Sequence, residues 1–230
     1  MNNRALNLPF VSFGRITSDD LFGPNEQVIF DFYESARGRY KKALDVGANI
    51  GVHSLLMRRE GWQVRAFEPD PEHFEMLCAN LQAEANDAPA IEPHRLAVSD
   101  YTGTACFVRV KNNLTGNHIQ GDKVPYGPTE LVLVNTIDCR PLFAWADFAK
   151  IDCEGHEAKI LLTTDAETWA HMEAMVEVGN ERNAWDIYRH LRGTVPMWSQ
   201  KRGWAQVEVL EHMPWHHSEG SLFIGNRRPF

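Results

Sequence analysis

Cysteine is sparse: there are four in 230 residues, Cys78, Cys106, Cys139 and Cys153, with no CxxC spacing and no neighbouring ligand pairs. Neither a disulfide framework nor a zinc motif finds support, and a reduced intracellular protein is the plain reading. Long apolar runs are missing as well. No stretch approaches the roughly 18 consecutive apolar residues of a membrane span. Met1-Asn2-Asn3-Arg4-Ala5 leads into no long apolar run, so a soluble, cytoplasmic protein without a membrane partner is expected. Clustered basic charge is equally scarce. The net charge is −8, and Lys41-Lys42 and Arg227-Arg228 are short and scattered, whereas phosphate backbones are bound through gathered Lys and Arg. No nucleic-acid partner is expected. Repeats and low-complexity tracts do not occur.

What is there alternates between strand and helix patterns, the mark of an α/β chain long enough to bury one sizeable core. Apolar spacing predicts helices over 24–39 and 71–84, the first with Pro24 in its opening turn. Strands are predicted at 43–46, 64–67, 95–98, 104–110, 131–137, 148–151, 174–178, 206–210 and 221–224. Between two of them, residues 111–130 are polar and rich in Gly, Asn and Pro. A loop of that length inside a compact domain is functional or mobile, so it is a lid or substrate contact or a surface excursion. Asn113 and Asn117 are its candidate substrate-binding residues.

The most informative stretch is 43–69, in which the strand Ala43-Leu44-Asp45-Val46 runs into Gly47-Ala48-Asn49-Ile50-Gly51, then a helix, then Val64-Arg65-Ala66-Phe67-Glu68-Pro69. Two buried strands joined through a Gly-bracketed turn and a helix form a right-handed βαβ unit, with ligand room at the strands' carboxyl ends. A dinucleotide site would want G-x-G-x-x-G and no acid beside the pyrophosphate. Asp45 would repel that charge and would favour a ligand carrying an ammonium and a sulfonium, as S-adenosylmethionine does. Glu68, acceptor-only when ionised, suits a ribose diol. Asn49 replaces a middle glycine and, unlike most residues, enters the left-handed region at modest cost. A second constellation, Lys150-Ile151-Asp152-Cys153-Glu154-Gly155-His156-Glu157, lies where another strand becomes a helix. Asp152 and Glu154 should face the same crevice, and His156 titrates in a range that suits proton transfer, although a capping or packing role also fits it. Glu157 matches a helix-dipole acid. Glu177 ends the next strand and is a substrate-binding candidate or a helix-start acid.

Together these residues resemble the FkbM family of S-adenosylmethionine-dependent methyltransferases. The resemblance spans roughly 42–178 and is carried by 44–51, Phe67-Glu68-Pro69, 96–100, Asn135-Thr136-Ile137-Asp138 and 150–157, the last being the most specific. It implies a class I methyltransferase (Rossmann-like) fold: a seven-stranded, mostly parallel sheet with helices on both faces and an antiparallel carboxyl-terminal hairpin, into which 206–210 and 221–224 fit. One domain over 1–230 is expected, with an arm and helix to 40, a cofactor core over 41–178 and a helix and hairpin over 179–230. The resemblance further implies that Asp45, Gly47, Asn49 and Gly51 line the methionine and ribose portion, that Glu68 binds the ribose, that Ala97 approaches the adenine, and that Asp152 borders the methyl. The expected reaction is O-methylation of a saccharide or secondary metabolite. The alternatives are N-methylation of a modified peptide or small molecule, or a noncatalytic module that binds the nucleoside. Asp152 or His156 would act as general base, with Glu154 orienting it or the acceptor. Two carboxylates are too few to argue a divalent metal, and His212, His216 and His217 lack ligand spacing. Trp169, Trp185, Trp198, Trp204 and Trp215 suit sugar stacking or half-buried packing. Where family members continue into a Leu-x-Gly turn, Ile160-Leu161-Leu162-Thr163-Thr164 has no glycine.

Overall fold

A computed structural model describes residues 12–13, 16–17, 22–83, 89–111, 115–125 and 127–230. In chain order these form β1 (Ser12–Phe13), β2 (Ile16–Thr17), α1 (Pro24–Ser35), β3 (Lys42–Val46), α2 (Val52–Arg59), β4 (Gln63–Phe67), α3 (Pro71–Ala83) and β5 (Ile91–His94). Next come β6 (Ala97–Ser99), β7 (Gly103–Val110), β8 (His118–Ile119), β9 (Thr129–Asp138), α4 (Arg140–Trp145) and β10 (Phe148–Ile151). The remainder is α5 (Glu157–Leu161), α6 (Ala166–His171), β11 (Glu173–Val176), α7 (Glu181–Leu191), β12 (Met197–Ser199), β13 (Ala205–Gln206) and β14 (Leu222–Ile224).

The main sheet has the order β13-β12-β14-β11-β10-β3-β4-β5. From β11 to β5 every pairing is parallel, and β14 enters antiparallel between β11 and β12. This is the class I methyltransferase architecture, with β13 added to the expected seven strands. The parallel strands are apolar almost throughout because both faces are covered. Leu44, Val46, Ala149, Ile151, Ala174 and Val176 pack beneath α4 to α7, while Ala43, Val64, Phe148, Met175 and Phe223 pack beneath α1 and α2. Asn180 caps α7 and Asp165 caps α6, each accepting the N–H of the residue three places on.

Two expectations differ in the structure. The strand expected over 95–98 forms only as Ala97–Ser99 and outside the main sheet, whose edge is β5, where Pro93 costs no ladder bond. Ala97–Ser99 instead runs parallel to β9 in a second sheet of order β6-β9-β7-β8, which stands where a crossover helix could have been. Residues 206–210 are not the hairpin partner of β14. That partner is β12, and beyond Gln206 the chain turns, with Val207 buried in the core.

Candidate functional site

Gly47 leaves β3 at φ 79, and a Cβ built there would stand 1.8 Å from the carbonyl oxygen of Asp152. Only glycine lets the ends of β3 and β10 touch. Asn49 follows at φ 51, and Gly51 opens α2. The amide N–H of Asn49 donates to Glu68 Oε2 at 2.9 Å, and that of Asp70 donates to Oε1 at 2.9 Å. Burial nevertheless pushes the Glu68 carboxyl up to about 8, against the pull of those two bonds.

Around this loop opens a cavity of about 800 Å³, within the range of small-molecule sites. Gly47, Asn49 and Glu68 form one wall, Leu96, Ala97, Val98, Phe107 and Ile119 an apolar one, and Asp152, Glu154, His156 and Glu177 a third. Asp45 and Gly51 are not on the cavity surface. Alternation along β3 turns Asp45 under α2, where it is 1% exposed and accepts from Ser54 Oγ at 2.5 Å. Burial raises its carboxyl.

Lys150, the register partner of Asp45 on β10, is buried and sets its Nζ 3.1 Å from Asp152 Oδ2. Burial works against its ammonium, but Asp152, Glu26 and Glu177 outweigh that and raise its pKa. Burial, and then the charge of Asp152, push the Glu177 carboxyl well up. Glu154, at φ 56, accepts the Gly116 N–H at 3.0 Å and pairs with Lys123. His156 is held at both ring nitrogens, with Asp122 Oδ2 2.6 Å from Nδ1 and Ser99 Oγ 2.9 Å from Nε2. Glu157 accepts from the Cys153 and Gly155 amides and from Asn183 Nδ2, and burial lifts it to about 7. Asn117 lines the cavity while its amide bridges the Val110 N–H and Asp70. Asn113 lies outside the described residues. None of the five tryptophans named above lines the cavity, but His216 does. Among the cavity residues that the sequence does not single out are Glu26 and His53, which α1 and α2 bring within 3.1 Å. Their only signal is a place just inside helices that open towards the same edge.

The family model of the methyltransferase FkbM domain matches residues 45–203. The chain belongs to the FkbM methyltransferase family. S-adenosylmethionine is the methyl donor of this family, and the lining is compatible with it: Gly47, Glu68 with its carboxyl, and the apolar Ala97 all face one cavity. Among the described residues no group of three or more His, Cys, Asp or Glu side chains could hold a metal ion, and no helix is long and apolar enough to cross a membrane. The FkbM-family chain is distantly similar to several solved structures. A SAM-dependent methyltransferase from Agrobacterium tumefaciens is 11% identical with TM-score 0.45, over 89% of this chain and 63% of that one. An O-methyltransferase from Bacillus cereus in complex with SAH is 12% identical with TM-score 0.43, over 96% and 85%. A Pyrococcus abyssi tRNA (uracil-54, C5)-methyltransferase in complex with S-adenosyl-L-homocysteine is 14% identical with TM-score 0.38, over 72% and 30%. The chain thus spans less than two thirds of the first and the third. No curated protein matches it.

Proposed function

We propose that the chain transfers a methyl group from S-adenosylmethionine to a hydroxyl of a saccharide or secondary metabolite. The observation that carries this is the position of Asp152: its carbonyl touches Gly47 of the cofactor loop while its carboxylate, 30% exposed, faces the cavity. A small acceptor suits a cavity of about 800 Å³, and the net charge of −8 disfavours nucleic acid. The bound cofactor supplies an electrophilic methyl on sulfur. The protein's share is to hold the acceptor in line and to take its proton. Asp152 is the general base in this reading, fixed by Lys150 at one oxygen. His156, with both nitrogens engaged, positions the segment around Asp122 rather than reaching the acceptor. Glu177, whose carboxyl is pushed up by burial and by Asp152, lies where it can hydrogen-bond the acceptor.

Calorimetric titration with S-adenosylmethionine and S-adenosylhomocysteine, with NAD as control, tests the cofactor half. Micromolar binding should be lost in Glu68→Ala and absent for NAD. A panel of hydroxylated acceptors tests the second half. Binding without transfer to any acceptor would favour a noncatalytic module, and transfer to an amine alone would replace the hydroxyl.

A further inference from the structure

We propose that Glu26, not Asp45, is the carboxylate that faces the α-ammonium of the cofactor's methionine moiety. The assignment rests on the cofactor reading above. Asp45 cannot serve while its carboxyl points under α2: it is 1% exposed, bonded to Ser54 Oγ at 2.5 Å, and off the cavity surface. Glu26 lies in the first turn of α1, lines the cavity beside Asn25, and keeps 23% of its side chain exposed. Its Oε2 stands 3.1 Å from Nε2 of His53, in the first turn of α2 directly after the glycine loop. The Tyr33 hydroxyl, 2.9 Å from Nδ1, fixes that ring.

Glu26 also sits among charged groups of the site. Its charge neighbours are His53 and Lys150, and Glu177 feels Glu26 in turn, whereas Glu68 feels Asp70 and Asp45. Glu26 therefore shares its surroundings with Lys150 and Glu177, and through His53 it stands beside the glycine loop. A cofactor with its diol at Glu68 and its sulfur near Asp152 extends its amino-acid tail past the loop towards Glu26. Burial alone would raise the Glu26 carboxyl, but the bond and charge of His53 and the Lys150 ammonium bring it down to about 2, so it offers a permanent negative charge to a cation.

The test compares two ligands on one protein. S-adenosylhomocysteine carries the ammonium; 5′-methylthioadenosine keeps the nucleoside and thioether and lacks the amino acid. In Glu26→Gln, S-adenosylhomocysteine binding should weaken by at least about tenfold, and methylthioadenosine binding should stay within about twofold. In Asp45→Asn the two ligands should shift alike. Retained methylthioadenosine binding also reports that the variant is folded. A second measurement starts from wild type: S-adenosylhomocysteine should be preferred over its des-amino analogue, and Glu26→Gln should erase that preference. Equal weakening of both ligands in Glu26→Gln, no weakening, or a selective loss in Asp45→Asn overturns the assignment. Absence of binding by wild type to either ligand would remove the cofactor reading itself, and this assignment with it.

Discussion

Glu68 and Glu26 face one cavity with opposite proton economies, so they give opposite pH signatures. The folded state raises the Glu68 carboxyl from 4.5 to about 8, so native protein holds a proton that unfolded chain has released. Stability from this group is complete below pH 4.5 and declines as pH rises towards 8. Glu26 goes from 4.5 down to about 2, and its contribution is present above pH 4.5 and lost as pH falls through 2. Thermal melts of Glu68→Gln against wild type should show the variant gaining relative stability between about pH 5 and pH 8; a constant difference would contradict the shift. A ribose diol on Glu68 needs an acceptor-only carboxylate, so cofactor binding near neutrality should release a proton. Calorimetry in buffers of different ionisation enthalpy would detect that release, and Glu68→Gln should abolish it. Asp152→Asn should lower kcat by about 100-fold or more while leaving S-adenosylhomocysteine affinity close to wild type. Unchanged kcat would remove Asp152 from proton transfer.

The contact between β3 and β10 makes Gly47 the most restrictive position of the fold. Gly47→Ala drives a methyl against the Asp152 backbone and should cost at least about 2 kcal/mol in urea unfolding, together with measurable cofactor binding. A stable, binding-competent Gly47→Ala protein would show that the strands part easily. On the opposite wall, Glu154 holds the Gly116 amide and Lys123, so Glu154→Gln should speed amide exchange over residues 115–123 and raise the acceptor KM more than that of the cofactor. The elements most legible in the sequence were those buried on both faces. β3, β4, β10 and β11 read as short apolar runs because a parallel sheet leaves them no solvated side, and the glycine loop between β3 and α2 showed through its residue types. β5, polar and containing Pro93, carries little such signal, since an edge strand needs only one partner. Residues 206–210 alternate like a strand, but Val207 serves the core from a turn. Residues just beyond the strand ends, such as Glu68 and Asp152, line the cavity. Asp45 lies inside the strand, and its two-residue period aims it at α2. Glu26 escaped notice because nothing local links α1 to a loop more than twenty residues on; only the packing of α1 against α2 brings them together.

Across the whole molecule, Lys150 is the cation around which the acids gather, with Asp152, Glu26 and Glu177 all acting on its ammonium. Lys150→Met should destabilise the protein by about 3 kcal/mol or more, because removing one partner of a buried set strands the rest. The loss should be larger at pH 8 than at pH 5, where the stranded carboxyls can take up protons; equal losses would mean that Lys150 acts by packing. Among the described residues the second sheet, β6-β9-β7-β8, shares no strand pairing with the main one, yet it contributes Ala97, Phe107 and Ile119 to the cavity. Cofactor binding therefore reports on both sheets at once. The main sheet also has a history written into its order. β14 lies between β11 and β12, and both precede it in the chain. During synthesis those two strands emerge with unpaired facing edges and wait for Leu222–Ile224 to be translated before the gap is filled. Until β14 is made, the facing edges of β11 and β12 are the ones open to mispairing.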